Sequence, residues 1–150
     1  MRSRKKIGVI DLEETINNLL NEYGDEVYVA LNESMKTVAD MAVQELRAVS
    51  KFSPSGNPTG EYSKDWDKKS EAITRLSNKI IVYNEDHYRL THLLEKGHAL
   101  RRGGRKIGSV KAYPHIEPVE QKVISEFEKD VINRIKNIWK YGAMNDISRN

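Results

Sequence analysis

Apolar residues recur every three to four positions over two long stretches of this chain and lose that rhythm between them. Leu12, Ile16, Leu19 and Tyr23 are spaced four, three and four, which predicts a short amphipathic helix over 11–23. Asp11 is its candidate N-cap and Glu14 the capping-box partner. Gly24 either ends this helix or weakens one longer helix. The rhythm resumes at Val27 and runs through Leu31, Met35, Val38, Ala42, Leu46 and Val49, a single apolar stripe over about six turns. Ser50–Gly60 breaks it with two prolines, two glycines and three serines, so it reads as a loop. Glu61–Ser70 reads as a strand with Tyr62 and Trp66 on one face, and Lys79–Asn84 as a β-branched strand pairing with it in an antiparallel hairpin. A short helix follows from Asn84 or Asp86 through Glu95, with Gly97 at its C-terminal turn. Ala99–Val110 reads as a glycine-rich loop. Tyr113–Ile116 is extended around Pro114, and a last helix opens at Glu117 or Pro118. Its stripe is Ile124, Phe127, Val131, Ile135 and Ile138, with Trp139 and Tyr141 closing it, and 146–150 reads as a frayed tail. Helices segregated from strands give an α+β class: one small antiparallel sheet packed with a long N-terminal, a short middle and a C-terminal helix.

The 150 residues suit a single domain, with 1–10 a basic segment and 50–60 and 99–111 flexible loops. With no cysteine, disulfides, thiolate metal ligands and cysteine nucleophiles are excluded. No apolar run reaches the roughly 18 residues of a membrane span, and Met1–Ile10 lacks the apolar region of a secretory signal, so a soluble protein made in the cytoplasm is expected.

The formal charge of +3 hides strong segregation. Met1–Ile10 has four basic and no acidic residues, Asp11–Val49 two basic and nine acidic, and Lys96–Lys111 six basic and no acidic; the remaining blocks balance. Such blocks favour ordered contact with a complementary charged surface. Arg101, Arg102, Arg105 and Lys106 are the candidate contact residues. They suit phosphates or an acidic protein surface, and no aromatic is interleaved to stack bases. The acidic face around Asp25, Glu26 and Glu33 is a candidate for a neighbour's basic segment.

Catalytic signals are sparse. His92, Glu95 and His98 form an H-x2-E-x2-H string, but zinc-protease helices place two histidines four apart, not six. Ser53, His92 and Asp86 are the only triad that suggests itself, and no nucleophile elbow surrounds a serine. Gly103-Gly104 lacks the spacing of a phosphate loop. A non-catalytic protein without metal or cofactor is expected.

Three strings, in order, resemble one family. SPSGNPTGEYSKDW resembles its S-P…T-G-x-Y…W segment, VYNEDHYRLTHLLEKGHALRRGGR its Y-N…Y-x-L-x-H-L-L-E-x-G-H-A…G-G-R segment, and PHIEPVE the P-H-I-x-P-x-E opening of its last helix. The family is the tail-component group of long-tailed siphophages, also described as head–tail joining or tail-completion proteins, and the resemblance spans about residues 20–140. It implies a structural virion protein at the neck, between DNA-filled head and tail, built in the host cytoplasm. The expected partners are further copies in a ring, commonly a hexamer, then connector or head-closure proteins and a tail-tube or tail-terminator protein, with DNA in the lumen. The resemblance marks Pro54, Pro58, Thr59 and Gly60 as a docking loop that orders on assembly. It marks Tyr62, Trp66, Tyr83, Asn84, Tyr88, His92, Leu93, Leu94, Glu95, Gly97 and His98 as fold determinants. Gly103, Gly104 and Arg105, then Pro114, His115 and Pro118, complete the set. The loop is longer than the shorter S-P-x-x-T-G form. The alternative expectation is a small nucleic-acid-binding module using the basic 96–111 segment.

Overall fold

The computed structural model describes residues 12–14, 16–18, 21, 24–50, 60–74 and 77–147. The elements are α1 (Asp25–Val49), a one-turn α2 (Glu61–Lys64), β1 (Trp66–Thr74), β2 (Ser77–Asn84), α3 (Tyr88–Lys96), β3 (His98–Arg102), β4 (Arg105–Val110) and α4 (Ile116–Ile147). The class is α+β, and the strands form two separate two-stranded antiparallel sheets, β1–β2 and β3–β4.

The chain divides into two compact units, Met1–Lys36 with Ser125–Asn150, and Thr37–Ile124. In the first, Val27, Val131 and Ile135 are buried, with Leu12, Ile16, Leu31, Phe127 and Ile138 packed on them. Residues 12–14 and 16–18 are helical, and Gly24, with φ of 40°, precedes α1. Asp25 and Glu26 lie in the first turn of α1, where the helix dipole favours negative charge. In the second unit, Val43, Leu46, Tyr62, Trp66, Leu94 and Val119 form the core, flanked by Val82, Ile116 and Val123.

The two predicted long stripes are therefore the core faces, with three departures. Val49, Ile124, Trp139 and Tyr141 are exposed, although the sequence pattern places the first two on apolar stripes and the last two at the end of one. α4 gives Val119 and Val123 to one core and Phe127, Val131, Ile135 and Ile138 to the other, and Ile124 belongs to neither. A second correction concerns 61–70, read as a strand throughout. Glu61–Lys64 is a helical turn and the strand begins at Trp66. Residues i and i+4 share a face in either conformation, so the Tyr62/Trp66 spacing did not distinguish them. Gly60, with φ of +73°, starts this turn, and its carbonyl accepts from Ser63 Oγ at 2.8 Å. The third correction is the basic segment. The glycines of Ala99–Val110 predict a loop, but the segment lies in a hairpin whose strands pair His98 with Val110 and Arg102 with Arg105. Gly103 and Gly104 both have positive φ, 55° and 78°, as the two central residues of a type I′ turn require.

The N-terminal capping prediction at Asp11, the loop residues Pro54, Pro58 and Thr59, and the tail beyond Ile147 lie outside the described residues.

Candidate assembly surface and the cluster behind it

Unit 37–124 holds a buried polar and aromatic cluster, and it gathers residues from all three strings of the resemblance. Tyr62 and Trp66 pack edge to face with ring centroids 5.9 Å apart, and His115 stacks edge-on against both at 5.7 and 6.2 Å. The Tyr62 hydroxyl and His115 Nε2 are 2.9 Å apart across 53 residues of sequence. His115 Nδ1 lies 2.8 Å from the Tyr113 carbonyl and 3.0 Å from Glu95 Oε2. Both are acceptors, so the proton sits on Nδ1; in the neutral ring Nε2 then accepts from Tyr62. Burial, with the Glu95 charge adding to it, pushes the Tyr62 hydroxyl well above its usual range. Trp66 Nε1 donates to Ser50 Oγ at 3.1 Å, and Arg47 donates through Nε and Nη2 to the Trp66 carbonyl at 3.1 and 2.7 Å. Asn84 Nδ2 donates to the Tyr62 carbonyl at 2.8 Å while its Oδ1 accepts from the His87 backbone N–H at 2.9 Å.

Glu95 closes the cluster. Its Oε2 accepts from the backbone N–H of His115 and Ile116 at 2.8 and 2.9 Å, and its Oε1 from Glu117 at 3.0 Å. A helix start leaves four backbone N–H groups without intrahelical partners. Here the fourth position is Pro118, which has none. One carboxylate from α3 thus satisfies every orphan donor of α4. Burial alone would raise the Glu95 pKa, but the three backbone donors and His115 hold it below its ordinary value. Gly97 makes the connection possible. It has φ of +70°, and a Cβ there would sit 2.5 Å from the Val110 carbonyl oxygen and 2.9 Å from the Ala112 nitrogen.

The cluster absorbs the histidine string. Glu95 is committed to backbone donors, His92 and His98 are exposed, and His87 pairs instead with Asp65. Among the described residues no group of three or more His, Asp or Glu is arranged to hold a metal ion. His92 and Asp86 of the imagined triad are exposed, and Ser53 lies outside the described residues. Among the described residues no helix is long and apolar enough to cross a membrane.

Two surfaces of this unit lie open. The first is the β3–β4 hairpin. Every β3 residue is exposed, as are Arg105, Lys106 and Ile107 on β4. Arg101 faces Lys106 and Arg102 faces Arg105 across the ladder, so like charges are opposed. None of the four joins an ion pair among the described residues. Leu100 and Ile107 are exposed beside them. The second surface is an apolar groove of about 620 Å³ whose walls include Leu46, Ile80, Val82, Val119 and Val123. Tyr83 and Tyr88, both marked by the resemblance, also line it, and Arg89 lies over the Tyr88 ring at 5.6 Å.

Sequence reasoning missed the groove, the capping role of Glu95 and the hairpin. Only the last had a local signal, the Gly-Gly pair between two short runs. In comparisons with known proteins, no family model, no curated protein and no solved structure matches the chain.

Proposed function

We propose that the protein is a non-catalytic virion component of the phage neck that joins a DNA-filled head to a tail. One observation carries this reading. The residues behind the resemblance come from three separate strings, yet Tyr62, Trp66, Asn84, Glu95, Gly97 and His115 lie in or directly brace one buried cluster. The cluster is built for rigidity, since its polar groups are spent on one another and on backbone. What it leaves outward is a cationic hairpin and an apolar groove, which suits docking rather than turnover. In this reading copies join in a ring by heterologous contacts, one patch of each meeting a different patch of the next. The ring then meets a connector protein on one side and a tail protein on the other. The test is composition. Virions of the phage or induced prophage encoding this chain should contain the protein, and tails that never met a head should lack it. Its absence from purified infectious virions would remove the reading.

A second reading, a nucleic-acid-binding module, is favoured by one observation: the four cations near the hairpin tip, none of which joins an ion pair among the described residues. It predicts duplex binding by the purified protein whose affinity falls steeply with salt. The neck reading predicts weak binding at most by the monomer.

A further inference from the structure

The hairpin and the groove are complementary in two respects. The hairpin is an exposed two-stranded arm, a unit that is marginal in water on its own. It carries two exposed aliphatic side chains, Leu100 and Ile107, in the same two strands as four cations. The groove is lined mainly by aliphatic and aromatic side chains and is roomy enough for several more. Three acids lie at or next to its lining, with Arg89 over the Tyr88 ring the cation beside them. Glu120 lines it, and Glu85 and Asp86 form the turn between two wall residues, Asn84 and Tyr88. None of these three acids joins an ion pair among the described residues, whereas Asp40 and Glu45 nearby on α1 are paired with Lys68 and Lys122. Among the charges that join no ion pair between described residues are thus four cations around exposed aliphatic side chains and three acids at or beside an apolar hollow. The chain does not fill its own groove with the arm, since every β3 residue is exposed.

We infer that the β3–β4 hairpin of one copy docks in the groove of a second copy, with Leu100 and Ile107 in the hollow and the arginines on Glu85, Asp86 and Glu120. The contact is heterologous: a copy that has donated its hairpin still has an open groove, so association continues head to tail. This deepens the ring reading and rests on it in one respect, that copies meet. Apolar burial supplies the affinity, and the charges set register and rate.

The lack of native cysteine gives a clean test. Ile107→Cys places a thiol on the arm and Thr91→Cys one on the groove wall. A disulfide forms only where Cα atoms approach within about 7 Å, so bonding reports contact rather than proximity. Each variant is first shown to keep the wild-type circular dichroism and Trp66 fluorescence. The expected result is a mixed disulfide when the two variants are combined, none from either alone, and a ladder of oligomers from the double variant. Arg101→Glu with Arg102→Glu should abolish the mixed disulfide, and Glu85→Lys with Asp86→Lys in the groove copy should restore it. Three outcomes overturn the inference: disulfides between two Ile107→Cys arms only, oligomers by light scattering with no mixed disulfide, or monomers at every concentration with none. The second leaves ring formation intact and removes only this contact. The neck reading is decided separately, by the presence of the protein in virions.

Discussion

Replacing Glu95 should loosen the start of α4 and remove its contact with the buried His115 ring. The wild-type carboxylate accepts three backbone N–H groups, two of them from Oε2. Hydrogen bonds to a charged group contribute about 1.5–3 kcal/mol each when solvent cannot replace them. Glu117 is exposed, so water takes over that donor, while the His115 donor belongs to a buried residue. Losing a cap typically costs about 1 kcal/mol, and leaving a buried donor unmet costs a further 1–3 kcal/mol, so Glu95→Ala should cost about 2–4 kcal/mol. Glu95→Gln keeps one acceptor oxygen and should cost about 1–2 kcal/mol. The assay is urea unfolding followed by the fluorescence of Trp66, which is 3% exposed and sits in the same cluster, with exposed Trp139 replaced by Phe. The midpoint should fall and the slope stay constant. The pH dependence gives an independent check. The folded pKa of Glu95 lies below its ordinary value of 4.5. A depressed carboxylate pKa contributes stability that is fully present above the unfolded value and is lost as pH falls through the folded one. Wild type should therefore lose stability below about pH 4.5 more steeply than Glu95→Gln. An Ala variant within about 0.5 kcal/mol of wild type, the range of a neutral surface substitution, would refute the capping argument. So would a Gln variant with an unchanged acid limb.

Other substitutions should separate cluster from surface. Gly97→Ala meets the Val110 carbonyl oxygen at 2.5 Å and adds a positive-φ penalty, so it should cost about 3 kcal/mol or fail to yield folded protein, read by thermal melting. Gly104→Ala, with nothing within 4 Å of the added carbon, should cost only about 1–2 kcal/mol of backbone strain by the same measurement. Tyr62→Phe removes the partner of His115 Nε2 and should cost about 1–2 kcal/mol in urea unfolding. Arg101→Glu with Arg102→Glu should leave the unfolding free energy from urea titration within about 0.5 kcal/mol of wild type, since it replaces opposed like charges by opposite ones, while abolishing assembly.

The long helices were legible because one 3.6-residue rhythm persists over many turns, and a single slip does not hide it. Their failures are local. Ile124 keeps the spacing but falls where α4 passes from one core to the other. The hairpin was hidden for a different reason. With β3 exposed on both faces, no alternation of polar and apolar residues survives to announce a strand. Charge segregation singled out the segment, but its glycines read as a loop where the chain forms a hairpin. The cluster was half legible. Tyr62, Trp66, Glu95, Gly97 and His115 were singled out by resemblance, but no spacing could show that Glu95 caps a helix beginning about twenty residues later. That role depends on Gly97 and the hairpin returning the chain to α3, which is a property of the fold.

The most direct test of the neck account is electron microscopy of lysates from the phage or induced prophage with this gene deleted and, in parallel, restored. The account predicts DNA-filled heads beside complete, unattached tails in the deletion, and joined particles on restoration. Normal infectious particles from the deletion would contradict it and leave the nucleic-acid reading of the basic hairpin in first place.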